Sequence, residues 1–236
     1  MAGIEIFLEG FSKAFELILA NDPGIQAITA LSLRVSLTAT LLGSAFGIPL
    51  GFLIGSHGFR GKSMVIAVVN TLMGIPPVVV GLVVYLLLST AGPLGFLRIL
   101  YTPEAMILAQ IFLTFPVVCG ITISSVLGLD KRLKETLQSL SAPKLWEAVI
   151  LLRECRIGLL TAVMAAFGAA ISEVGAIMMV GGNILGYTRA LTTAIMLYTN
   201  TGEFALAIAL GIILMLLAFG VNLTLTVIQV KHGKRR

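Results

Sequence analysis

Along this chain, long apolar runs alternate with short polar connectors. Five runs, 29–55, 64–89, 104–129, 157–181 and 204–230, could each cross a hydrocarbon core of about 30 Å as a helix. Residues 1–22 follow a different pattern. Glu5, Glu9, Lys13 and Glu16 recur at helical spacing as one polar stripe, while Ile6, Phe7, Phe11, Phe15 and Leu19 cover other faces. That predicts an amphipathic helix lying at the membrane surface, since a sixth span here would put the stripe in lipid. The segment lacks the basic start and unbroken apolar core of a signal peptide. The turn residues "NDPG" (21–24) end it. The expected fold is all-α and polytopic, one unit over 1–236. It comprises an interfacial helix (1–22), a transmembrane core (29–230) and, within that core, a polar loop (130–156).

Within the runs, small residues and prolines stand out. Gly43, Gly47, Gly51 and Gly55 are spaced by four and line one helix face, as do Ala162, Ala166 and Ala170. Such ridges let another helix approach closely. "GIPPVVVG" (74–81) carries paired prolines, so the second run is expected to bend or unwind at Pro76 and Pro77. Pro49 and Pro116 are expected to interrupt the first and third runs in the same way. Broken spans are tolerated where protein or a water-lined cavity satisfies the freed backbone, and several together suggest a pathway.

Composition agrees with the pattern. Of 236 residues, 58% are hydrophobic and only 11% charged, where a soluble domain carries about 25% charged. The net charge of +5 is distributed by connector. Arg60 and Lys62 follow the first run, and Lys131, Arg132, Lys134, Lys144, Arg153 and Arg156 follow the third. Lys231, Lys234, Arg235 and Arg236 form the tail. The two remaining connectors hold one basic residue each, Arg98 and Arg189. This alternation places the N-terminus outside and the C-terminus in the cytoplasm of a cell-membrane protein. Basic residues set between apolar runs do not form a nucleic-acid surface. Cys119 and Cys155, with His57 and His232, give neither a disulfide framework nor a metal site. No nucleophile–base constellation lies within a run, so an embedded enzyme is not expected.

Three stretches carry candidate chemistry. "GSHGFRGKS" approaches a phosphate-binding loop, but Ser56 stands where that pattern requires its first glycine. A short cytoplasmic turn is the better reading, and this chain is not expected to hydrolyse ATP. Glu173 is the one acidic residue well inside a run; it either serves function or holds helices by hydrogen bonds. Being an anion itself, it cannot bind another anion directly while charged. Arg34 near the outer end of the first run is expected to snorkel to the interface. The outer connector "GGNILGYTRALTTAIMLYTNTGEF" offers hydroxyl, amide and backbone donors. A pathway is expected to involve Pro76, Pro77, Glu173, Asn183, Arg189, Thr192 and Thr193.

The loop 130–156 explains its own polarity by lying in the cytoplasm. "ETLQSL" and "KLWEAVILL" have helical patterning, separated by "SAP", with Pro143 suited to the first turn of the second helix. Leu137, Leu140, Leu145, Trp146 and Val149 are expected to stay partly exposed, an apolar patch that asks for a partner protein.

This segment resembles the cytoplasmic loop of ABC-importer permeases, whose pattern is E-A-A, three residues, G, and an I-x-L-P ending. Glu135 matches the glutamate, and Ala142 follows the glycine position. Thr136 and Leu137 replace the alanine pair, Ser141 the turn glycine, and Arg153 and Glu154 the Leu-Pro. "IPPVVVGLVVYLLL" with "GPLG", and "SEVGAIMMVGGNILGYTRALTTAI" (172–195), resemble the molybdate and tungstate permeases, the latter stretch being closest to the tungstate branch. The resemblance implies a homodimer in the membrane. It also implies two cytoplasmic ATPase subunits that bind the ATP, and an external protein that delivers the oxyanion and supplies most of the selectivity. Coupling to the ATPases would then fall to Glu135, Leu140, Ser141, Ala142, Pro143, Leu145 and Trp146. No cofactor is expected in this chain, and no domain sensing internal anion is expected after Val230.

Overall fold

A computed structural model describes residues 2–20, 22–140 and 143–233. Its described elements are eleven α-helices and one 3₁₀ turn, with no strand among them. Three helices are long and apolar enough to span: α2 (Pro23–Ser56), α5 (Pro103–Leu127) and α11 (Phe204–Gly233). Two further spans are bent pairs. α3 (Lys62–Met73) and α4 (Pro77–Leu88) meet at 95°, and α8 (Arg156–Ile171) and α9 (Gly175–Gly181) at 58°. Counting each pair as one gives the five expected spans. The others are α1 (Ala2–Ala20), the loop helices α6 (Lys131–Ser139) and α7 (Lys144–Glu154), and α10 (Leu191–Asn200) in the outer connector.

The centre of the structure is the pair α2 and α5. Gly43, Gly47, Gly51 and Gly55 are all buried, pressed against Thr114, Val118, Thr122 and Val126 of α5. A Cβ on Gly51 would lie 2.6 Å from the Cys119 carbonyl oxygen, so the two backbones approach as only glycine permits. The same Val118 also packs with Ala162 and Ala166 of α8. Two small-residue ridges therefore clamp one helix.

This clamp explains a departure from expectation. Pro49 and Pro116 lie inside α2 and α5 without breaking either helix. A lone proline removes one hydrogen bond, and here the ridge contacts on both sides of it keep the helix in line. The pair Pro76–Pro77, preceded by Gly74, removes two donors and does break the span: α3 ends at Met73 and α4 starts at Pro77. The fourth run breaks as well, at Ser172–Val174, where no proline marks it.

The N-terminal helix also differs from a purely interfacial one. α1 packs on α11 through Gly10 and Ala14, with the Gly10 backbone against Ile208. Its stripe Glu5, Glu9, Lys13 and Glu16 stays exposed, as do Leu8, Phe11, Phe15 and Leu19. The small residues between the two stripes supply a docking face that amphipathic patterning alone does not reveal. Helix α2 begins earlier than the apolar run, because Pro23 suits its first turn and Asp22 Oδ1 accepts from Ile25 N–H at 2.9 Å. At the other end of α2, Lys62 Nζ donates to the Gly55 and His57 carbonyls at 2.8 and 3.0 Å. The residues that resembled a phosphate loop are thus a helix stop. Arg34 pairs with Glu104 at 3.6 Å, both exposed, so the contact contributes little.

Gly51→Leu should overpack this interface by about 1–3 kcal/mol. It is expected to lower the unfolding temperature in detergent, whereas Gly58→Ala, at a position facing open space, should leave it unchanged. Equal behaviour of the two variants would show that the ridge is not under close contact.

Candidate functional site: a cytoplasmic helix pair and two broken spans

The loop helices have two faces. Leu137 and Leu151 are buried with Phe52 of α2, Val126 of α5 and Cys155, so the pair is seated on the inner ends of the central helices. Burial, with Glu154 beside it, pushes the Cys155 thiol above its ordinary range. The opposite face is bare: Leu140 is 72% exposed, Leu145 77% and Trp146 63%, with Val149 beside them. Leu137 was expected on this exposed patch and instead anchors the pair, because the helical period turns it toward Leu151. Glu135 and Pro143 are exposed, and Pro143 directly precedes α7 with φ −56° rather than entering its first turn. Ser141 and Ala142 lie outside the described residues.

The two broken spans meet just after their breaks. A Cβ on Gly81 would fall 2.7 Å from Ala176 Cα, and one on Gly175 the same distance from Val78 Cγ2. Both new helices therefore start side by side, α4 at Pro77 and α9 at Gly175. Backbone groups freed by a break in hydrocarbon need partners within the protein. The Pro76 carbonyl receives Val79 N–H at 2.9 Å, closing the first turn of α4.

At the second break, the side chains of Gln110, Thr192 and Glu173 meet such groups, and those of Ser32 and Thr193 meet the amides at the start of α10. Gln110 of α5 donates Nε2 to the Ala170 carbonyl at 2.8 Å. Thr192 of α10 donates its hydroxyl to the Glu173 carbonyl at 2.8 Å. Glu173 Oε1 accepts from Ala176 N–H at 2.9 Å, capping α9. Ser32 of α2 accepts Leu191 N–H at 2.7 Å, while Thr193 Oγ1 accepts Ala190 N–H at 3.0 Å. The break in span four and the start of α10 are thus one knot. Gln110 is 1% exposed, and its Oε1 has no partner where it borders a cavity with room for about one water, lined also by Ser32, Ser36 and Thr192.

Of the residues expected on a pathway, the knot brings Glu173, Thr192 and Thr193 together, with the α4 start after Pro76 and Pro77 packed beside it. Asn183 and Arg189 go elsewhere. They belong to the outer turn after α9, where Arg189 Nη2 approaches the Asn183 carbonyl at 3.5 Å. Gly182 and Asn183 both hold positive φ there, and Thr188 ties the turn through Ile184 N–H and the Gly181 carbonyl. Gln110 and Ser32 escaped the sequence reading. Gln110 is the single amide in the run 104–129, a polar side chain in mid-span, and that was its legible signal.

A family model, "Binding-protein-dependent transport system inner membrane component", matches residues 47–231, which include both broken spans and the cytoplasmic pair. The chain belongs to this family. It is 42% identical, over 96% of this chain and 99% of the relative, to the tungstate uptake system permease protein TupB of Peptoclostridium acidaminophilum. A probable anion ABC transporter permease of Haloferax volcanii is 45% identical over 84% of this chain and 88% of its own. The TupB protein of Campylobacter jejuni is 38% identical over 93% and 92%. As a permease-family inner-membrane component, the chain is a multi-pass membrane protein whose helices form a transport subunit.

Replacing Gln110 with Leu removes its bond to the Ala170 carbonyl and leaves that oxygen with the longer Glu173 N–H contact at 3.3 Å, a cost of about 0.5–1.5 kcal/mol. Thermal unfolding in detergent should move down accordingly. An unchanged midpoint would mean that the Glu173 N–H suffices and the knot is not held by Gln110.

Proposed function

We propose that the chain is the permease subunit of an ATP-driven importer, passing a tetrahedral oxyanion, tungstate, into the cytoplasm between two copies of itself. The observation that carries this reading is the bare apolar face of Leu140, Leu145 and Trp146. A large exposed apolar patch on the cytoplasmic side calls for a partner, and the seating of Leu137 and Leu151 on the ends of α2 and α5 gives such a partner a rigid lever on the spans. The relatives named for tungstate uptake favour that anion over molybdate or sulfate. ATP would be bound and hydrolysed by two partner subunits docked on the helix pairs, and an external binding protein would deliver the anion. This chain contributes no catalytic residue.

In this mechanism, closure of the ATPase subunits moves α6 and α7, and the motion reaches the breaks through α5 and α8. Two-state motion requires a contact that differs between the states; the starts of α4 and α9, packed glycine to backbone, are where the spans can part. Glu173 acts by holding the first turn of α9 rather than by touching the anion, because like charges repel.

The test is a complex co-expressed with its ATPase and binding protein. Leu145→Ala combined with Trp146→Ala should abolish recovery of the ATPase while the spans unfold at the same temperature. In proteoliposomes, the intact complex should accumulate tungstate only with ATP. ATP-independent anion flux by the permease alone would overturn the reading in favour of a channel. Glu173→Gln keeps an acceptor for Ala176 N–H, so assembly should survive with transport reduced by no more than a few-fold, whereas Glu173→Ala loses about 1 kcal/mol of capping and should transport less. Transport lost in Glu173→Gln with assembly intact would assign the charge itself a role.

A further inference from the structure

Between the inner half of span two and the third span lies a groove that the pathway reading does not include. It is open, about 350 Å³, and lined by Asn70 and Met73 of α3 and by Gly120, Ile121, Ser124 and Ser125 of α5. Helix α3 exposes nearly all its surface, with only Val69 buried. Asn70 stands two turns inside the span and four residues before Gly74 at the break, with its amide exposed. Hydrocarbon gives an amide no partner, so this face meets water or a polar solute rather than lipid.

The groove's position connects the two parts of the site. Its outer end is closed by Met73, the last residue of α3, which presses on Gly120. Its inner end is Ser125, whose side chain packs on Gly158 at the start of α8 and whose carbonyl accepts Cys155 Sγ–H at 3.6 Å. Cys155 joins α7 to α8. One wall therefore abuts the break in span two, and the other abuts the hinge of the cytoplasmic pair.

Its chemistry suits a passing dianion. Among the described residues, no Lys, Arg, Asp or Glu lines it. A fixed cation would hold a doubly charged anion and a carboxylate would repel it, whereas amide and hydroxyl donors bind it and release it. Ser125 already donates to the Ile121 carbonyl at 2.8 Å, which leaves the exposed Asn70 amide and Ser124 hydroxyl as the available donors. Resting on the transport reading, we infer that this groove is an inner site on the route of the oxyanion, with Asn70 and Ser124 as its donors.

The experiment uses the whole importer in inside-out vesicles, with Cys119 and Cys155 replaced by Ala and uptake confirmed. Asn70→Cys should react with a membrane-impermeant thiosulfonate added on the cytoplasmic side, at a rate that differs several-fold between the nucleotide-free and ATP-trapped states. Phe219→Cys, on the exposed face of α11, should not react. Asn70→Leu should lower tungstate uptake at least tenfold with the complex intact, Asn70→Ser less than threefold, and Asn70→Asp more than Leu. An unreactive Asn70→Cys in both states, or an Asn70→Leu importer within twofold of the parent, would overturn the site. So would a disulfide between two copies through Asn70→Cys, which would make the face a subunit contact. A parent complex that takes up no oxyanion would sink the transport reading instead, and the labelling would still report whether the groove holds water.

Discussion

A peptide group broken out of its helix inside a membrane has no water to turn to, and the architecture of this protein follows from how it meets that constraint. Each of the two broken spans exposes carbonyl and amide groups at its break. At Ser172–Val174 they are met by Gln110, Thr192 and the Glu173 side chain, with Ser32 serving the neighbouring start of α10. These groups come from α5, α10, the break itself and α2, so the break is satisfied only where those elements are packed together. A local departure from helix is thereby converted into a requirement on the whole bundle.

The central pair α2 and α5 makes that assembly possible. Glycine on one face of α2 and alanine on one face of α8 bring three backbones close enough for Thr114 to bond the Ala39 carbonyl of α2 and Gln110 the Ala170 carbonyl of α8. The same closeness keeps α2 and α5 unbroken through their prolines. Stiff central helices and bent peripheral ones are a division of labour. In the proposed mechanism this pair would carry displacement from the loop helices, seated at Phe52 and Val126, toward spans that have points at which to bend.

Polar side chains then report what each surface meets. Trp146 and Leu145 are apolar groups at a water-facing end, and Asn70 is a polar group at span depth. Each is costly where the single chain leaves it, and in the transport reading each cost would be removed by a neighbour that the single chain lacks, a protein in the first case and an aqueous route in the second.

Much of this was legible in the chain before any coordinates. Five apolar runs and the polar block at 130–156 determined the span number and the helix pair, because bilayer thickness and polarity act on local stretches of sequence, and the alternation of basic connectors set the expected orientation. The paired prolines marked one break for the same reason, since a missing donor is a property of the residue. The second break, the continuity of α2 and α5, the docking of α1 on α11 and the inward turn of Leu137 were decided only by the tertiary structure. A hydrogen bond between residues sixty positions apart, such as that from Gln110 to Ala170, leaves no trace in periodicity or composition. Whether a backbone group can do without its own helix depends on which distant side chain arrives to meet it, and that is a matter of packing.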